Sequence, residues 1–173
     1  MPDPSAPPEL ELSGEGWYPV PVERVWAQCT SKLGLESWWS PEDLRTTVKR
    51  IEPRLGGEIL LSLRFAPAMV GQTGERAFRA AGVPIAFTLR GKFLEWENYR
   101  HLALSLGLTL DRAGGELVTI TQLDFQPEAN GTRVRMLVRG GNEPHLVTLG
   151  KTNLDGQLAR LGRSLGVAST ASP

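Results

Sequence analysis

Residues 116–139 read ELVTITQLDFQPEANGTRVRMLVR. In the second half Val134, Met136 and Val138 stand at every other position, with Arg133, Arg135 and Arg139 off that face. A period of two is the signature of a strand with one apolar face. Asn130-Gly131 just before it is the dipeptide of a tight hairpin turn, and Glu116 to Phe125 supplies the partner strand. The fold therefore grows from an antiparallel hairpin.

Working outward, the same pattern repeats upstream. Thr46–Glu52 and Glu58–Phe65 flank the turn Pro53-Arg54-Leu55-Gly56-Gly57, with Ile59, Leu61, Leu63 and Phe65 sharing one face. Residues 84–96 form a long strand carrying Ile85, Phe87, Leu89 and Phe93 on one side. After Asn98-Tyr99-Arg100 the run His101–Leu110 keeps its leucines in step, and Arg112-Ala113-Gly114-Gly115 turns into Glu116. Near the beginning, Glu9–Tyr18 suits a half-buried strand that Pro19 and Pro21 end. Val22, Val25, Trp26, Cys29 and Leu33 then recur at helical spacing until Gly34, and Glu36–Ser40 makes a second short turn of helix. Downstream, Leu154, Leu158, Leu161 and Leu165 form one stripe of a long helix, with Lys151, Arg160 and Arg163 turned to solvent and Gly166 as C-cap.

Short strands joined by tight turns imply an antiparallel meander and exclude a parallel βαβ sheet. The expected class is α+β: a curved antiparallel sheet of six to seven strands wrapped around a long C-terminal helix, with two short helices after the first strand. Residues 9–165 make the domain. Residues 1–8, with prolines at 2, 4, 7 and 8, and residues 166–173 are expected as disordered tails. The long connection Ala66–Gly82 is expected to fold as a flap, with a short helix over Thr73–Ala81 and Phe78 as its one large apolar side chain.

Composition narrows the function. Nineteen Lys and Arg balance nineteen Asp and Glu, which excludes the basic footprint of nucleic-acid binding. No apolar run is long enough to insert in a membrane. A single cysteine, Cys29, excludes an internal disulfide and any cysteine-based zinc cluster, and points to a reducing, cytoplasmic setting.

In order along the chain, several pieces resemble the Hsp90-ATPase-activator-like branch of the START/Bet v 1 (helix-grip) superfamily. They are PVPVERVW at 19–26, WWSPE at 38–42, VKRIEPRLGG at 48–57, GKFLEW at 91–96, Leu102, and GTRV at 131–134. The order and spacing carry the resemblance from about Leu10 to Leu165. It implies the helix-grip fold and a hydrophobic cavity between sheet and C-terminal helix. It implies little about chemistry, since members of this superfamily bind lipids, sterols, hormones and polyketides and only some are enzymes. Two departures stand out: Asn153-Leu154 replaces the family's usual Gly-Trp pair, and Ala66–Gly82 is longer than its usual loop.

Candidate chemistry is sparse. His101 and His145 are not at metal-ligand spacing, and neither is joined by a cluster of Cys, His or Asp. Cys29 falls on the apolar stripe of the first helix, where packing is its default role. The paired glycines lack the Lys-Ser/Thr of a phosphate loop and read as turns. Arg133, Arg135 and Arg139 read as a solvated outer face that discourages edge pairing.

The inward faces are almost wholly apolar. Ile59, Leu61, Leu63 and Phe65 from one strand, and Phe87 and Leu89 from the next, are expected to contact a ligand. Met136 and Leu158 close the wall, while Trp38 and Trp39 diverge so that one ring, Trp39, rims the opening with its indole N–H still wet. Thr119 and Thr121 would be the few orienting polar groups. The expected activity is binding of a small hydrophobic or amphipathic molecule, with no metal, cofactor or catalytic residue. The alternatives are a polyketide cyclase/dehydratase-like enzyme working in the same cavity, through His101, His145 or Tyr99, and a chaperone-regulating interaction with a protein partner.

Overall fold

The computed structural model describes residues 11–80, 82–109, 116–140 and 144–167, and the side chains of all of these except 144–153. The expected tail at 1–8 and the turn at 112–115 lie outside the described residues, as does 168–173.

Seven strands form one antiparallel sheet: β1 (Glu11–Tyr18), β2 (Leu44–Ile51), β3 (Glu58–Phe65), β4 (Ala86–Glu97), β5 (His101–Thr109), β6 (Glu116–Glu128) and β7 (Gly131–Arg139). Their order across the sheet is β1-β7-β6-β5-β4-β3-β2, a meander whose free end is completed by β1 folding back onto β7. Two short helices, α1 (Val22–Thr30) and α2 (Lys32–Trp38), follow β1. A 3-10 turn at Pro67–Met69 and α3 (Thr73–Ala80) lie between β3 and β4. The long helix α4 (Pro144–Ser164) lies within the curl of the sheet, packed on β1, α2 and α3. The chain thus adopts the α+β helix-grip fold.

The helix pair breaks where the stripe alone does not show it. Ser31 leaves helical geometry (φ −106°, ψ 156°), and its hydroxyl accepts the Gly34 amide at 3.1 Å as the N-cap of α2. Gly34 therefore lies inside a helix and does not stop one. Leu33, expected on the buried stripe, is 77% exposed because the stripe belongs to α1 alone. Ile85 also departs from its expected inward face. It precedes β4, is exposed, and serves the sheet through its carbonyl, which accepts the Phe65 amide at 3.0 Å.

Helix α4 begins at Pro144, ahead of the leucine stripe, which places His145 on that helix. Its other end is a Schellman motif: the Gly166 amide donates to Arg163 and the Val167 amide to Gly162. Gly166 is thus the expected C-cap, and Val167 after it still belongs to the capping motif. Arg160 does not face solvent either. Its guanidinium donates to the carbonyls of Ser40 and Pro41, both at 2.8 Å, and of Ser37 at 3.3 Å.

Close packing of α4 on β1 depends on two missing side chains. A Cβ at Gly14 would lie 2.3 Å from Leu154 Cδ2, and one at Gly16 would lie 2.3 Å from the Tyr18 hydroxyl. Leu154, Leu158, Leu161 and Leu165 are all buried against this surface. Outside, Arg139 pairs with Glu11 of β1, and Arg133 pairs with Glu128 and lies 3.8 Å from Glu15. Strand β7 is interior to the sheet, so Arg133 and Arg139 join acids across strands and do not guard an edge.

Candidate functional site

The inner face of β3–β6 and the end of α2 leave a recess of about 220 Å3 that α3 covers. Leu63 on β3, Phe87 and Leu89 on β4, Leu106 and Leu108 on β5, and Leu117 on β6 supply its wall. Trp39, Ser40, Pro41 and Leu44 close one side, and Gln157 of α4 reaches its margin. The strand register explains the convergence. Leu63 pairs with Phe87, Leu106 with Thr119 and Leu108 with Leu117, so their side chains share one face of the sheet.

Helix α3 is placed by Phe78. Its ring packs edge-on against Phe65 (5.3 Å between centroids, 80°) and stacks on Phe87 (6.1 Å, 25°). Phe78 and Val83 both line the recess. One turn earlier the helix is held by Glu75, a buried carboxylate that accepts the Gly71 amide at 2.9 Å and pairs with Arg79 at 2.7 Å. Gly71 and Gly82, each at φ +84°, bracket the helix in a backbone geometry that side chains disfavour.

Polar atoms around the recess are few and mostly occupied. The Ser40 hydroxyl donates to the Leu44 carbonyl at 2.9 Å, and the Gln157 carboxamide donates to the Trp39 carbonyl. The Thr119 hydroxyl makes only a long contact, 3.5 Å, to the Leu106 carbonyl. Trp39 stands edge-on to Trp38 at 5.4 Å and is only 5% exposed, so its ring is part of the wall and not a surface rim. The Trp38 indole donates to the Gln28 carbonyl at 3.1 Å, whereas that of Trp39 has no acceptor among the described residues. Behind the wall, Thr46 on β2 is buried and its hydroxyl has no partner among the described residues.

The family model for "Activator of Hsp90 ATPase homolog 1-like protein" matches residues 19–163. The chain belongs to that family.

Solved structures with the family's fold cover almost the whole chain. A protein from Arthrobacter aurescens superposes with a TM-score of 0.71 at 19% identity, covering 91% of this chain and 86% of its own. One from Chromobacterium violaceum gives 0.64 at 22%, covering 90% and 97%. The AHSA1 protein from Silicibacter pomeroyi gives 0.66 at 17%, covering 92% and 98%. At these identities the likeness concerns the fold. No curated protein matches the chain.

Within this family frame, the residues expected to contact a ligand divide into two groups. Trp39, Leu63, Phe87 and Leu89 line the recess. Trp38, Ile59, Leu61, Phe65, Met136 and Leu158 are buried in the core away from it. Of the two threonines, Thr119 is at the recess and Thr121 is buried elsewhere. The sequence reading omitted Leu106, Leu108 and Leu117 from the site. The leucine alternation of His101–Leu110 put the first two on the inner face, and pairing with β6 brings in the third.

The groups considered for chemistry lie elsewhere. His101 sits on the outer face of the sheet, its Nδ1 2.6 Å from Asp124 and its Nε2 2.6 Å from Glu95. Burial alone would lower its pKa, but hydrogen bonds and charge from Asp124 and Glu95 together raise it above the ordinary histidine value. Tyr99 is a turn residue at φ +63°, partly exposed and set against Trp26. Cys29 is buried, and burial pushes its thiol far up, away from reactivity. The side chain of His145 lies outside those described. Among the described residues no cluster of His, Cys, Asp and Glu could hold a metal ion, and no helix is long and apolar enough to cross a membrane.

Proposed function

We propose that the protein binds a small apolar or amphipathic molecule in the recess under α3 and does not transform it. One observation carries the reading: none of the described residues lining the recess has an ionisable side chain. A general acid or base must lie within hydrogen-bond reach of the reacting atoms, and this wall supplies neither. The driving force is removal of apolar surface from water, about 2.5 kcal/mol for each 100 Å2 buried. Size limits the ligand. A cavity of roughly 150 Å3 admits benzene, so about 220 Å3 suits one or two rings or a short chain. The Trp39 indole, the Thr119 hydroxyl and the Gln157 carboxamide are the groups that would orient its polar end.

Residues 9–165 form the binding domain in this reading. A cytoplasmic location goes with it, supported by a single cysteine kept as a buried thiol.

Native mass spectrometry of the purified protein tests for a co-purified small molecule. Titration with a hydrophobic fluorophore, read through tryptophan emission, tests the site. Trp39→Ala and Leu89→Ala should weaken uptake more than they lower stability. Turnover of an ester or polyketide-like substrate, abolished at His101, His145 or Tyr99, would instead make the protein an enzyme.

A further inference from the structure

A second concavity, of about 570 Å3, adjoins the recess and shares Leu44 with it, but its walls are polar. Arg45 of β2 and Arg160 and Arg163 of α4 converge there, with Ser37 and the single carboxylate of Glu42. Three positive charges face one negative charge. The Arg163–Glu42 pair is close, 2.6 Å, but both side chains are more than half exposed (57% and 73%), so water and salt screen it. Arg160 spends Nη1 and one Nη2 proton on the backbone carbonyls of residues 37, 40 and 41, which are dipoles and not charges. Its Nε has no partner among the described residues.

The Arg45 guanidinium makes no hydrogen bond and no ion pair among the described residues. Its cross-strand neighbour is Arg64, another cation, and like charges directly opposite are unfavourable in a sheet. Burial lowers the pKa of Arg160, and Arg163 and Arg45 push it the same way, with only Glu42 opposing. The gathered cations repel one another, and the fold supplies one carboxylate against three guanidinium groups; that repulsion stabilises nothing. A bound anion would offset it.

We propose that the groove between the end of α2, the start of β2 and the last turns of α4 binds a phosphate group. Guanidinium groups grip phosphate through paired N–H donors, and a dianion would neutralise the groove's excess of two positive charges. The phosphate is either the free ion or the terminal group of an organic monoester. This site shares no ionic group with the apolar recess, so either can fail without the other.

The test is titration of the full chain with inorganic phosphate, followed by the arginine Nε–Hε resonances, against potassium chloride at matched ionic strength. Saturable shifts confined to Arg45, Arg160 and Arg163 are expected. Arg45→Ala should weaken affinity at least fivefold with an unchanged melting temperature, since it breaks no contact in the fold. Glu42→Gln should strengthen affinity several-fold by removing the competing carboxylate. Phenyl phosphate is the second probe: equal affinity assigns the free ion, and tighter binding assigns a monoester. Shifts that never saturate, that chloride reproduces, or that survive both substitutions unchanged would overturn the proposal.

Discussion

The hydroxyl of Tyr18, fully buried on β1, donates to the carbonyl of Leu158 in the middle of α4 at 2.8 Å. The carbonyl has a second lone pair for the helix's own bond, so the tyrosine adds a tie without breaking one. Burial pushes the phenol well above its ordinary pKa, which keeps it a donor throughout the working range.

Tyr18→Phe removes that tie alone. It should cost about 0.5–1.5 kcal/mol, read as a lower denaturation midpoint with an unchanged slope. Gly14→Ala should cost more than Tyr18→Phe, because its Cβ would push Leu154 off the strand. Equal midpoints for Gly14→Ala and the parent would show that α4 does not sit this close.

Met136 and Leu89 separate core from site. Met136 is 1% exposed and away from the recess, so Met136→Ala should lose about 2–5 kcal/mol while leaving probe affinity intact once folded. Leu89 is half-buried and lines the recess, so Leu89→Ala should show the reverse balance. Identical profiles for the two variants would remove the distinction.

His101 predicts a pH dependence with a definite sign. Both ring nitrogens lie 2.6 Å from carboxylates, and only the imidazolium can donate to both, so against the cost of burial the folded chain raises its pKa above the ordinary 6.5. Its contribution is complete below about pH 6.5 and is lost as pH rises through the folded pKa. The pairs are partly exposed, which limits the effect to roughly 1 kcal/mol. Chemical denaturation between about pH 6 and 9 should show a decline that His101→Gln flattens; parallel curves would count against the clamp.

Phe78 is the contact by which α3 packs over the recess. Phe78→Ala should speed both uptake and release of a fluorophore, at a stability cost below the roughly 3–5 kcal/mol of a fully buried phenylalanine. Stopped-flow traces with unchanged rates, or a deletion of residues 66–82 that leaves stability and uptake alone, would leave α3 without a gating role.

What the sequence disclosed depended on how far each signal reached along the chain. Strand β3 has the expected ends because Ile59, Leu61, Leu63 and Phe65 alternate without interruption. The step out of phase between Phe93 and Glu95 was hidden, since a bulge leaves no residue type behind it; it turns Trp96 inward onto Phe93 and Trp26. The α3 helix was readable from its composition and from Gly82. Its latch was not, because a buried Glu75 looks in sequence like any surface acid. The recess itself was expected along the whole inner face. Leu154 and Leu158 fill the half beside Gly14, so only the half beneath α3 stays open, and that division depends on contacts some 140 residues apart.

The two glycines of β1 also set an order of assembly. β1 pairs with β7 and is packed on by α4, so the earliest strand lacks its partner strand until Arg139 and its helix until about residue 165 have left the ribosome. Before then the leucines of β5 and the inner face of β3 are open to the cell. Contacts this distant slow closure and prolong that exposure. A newborn copy of this chain therefore carries its apolar faces uncovered for longer than a chain of local contacts would.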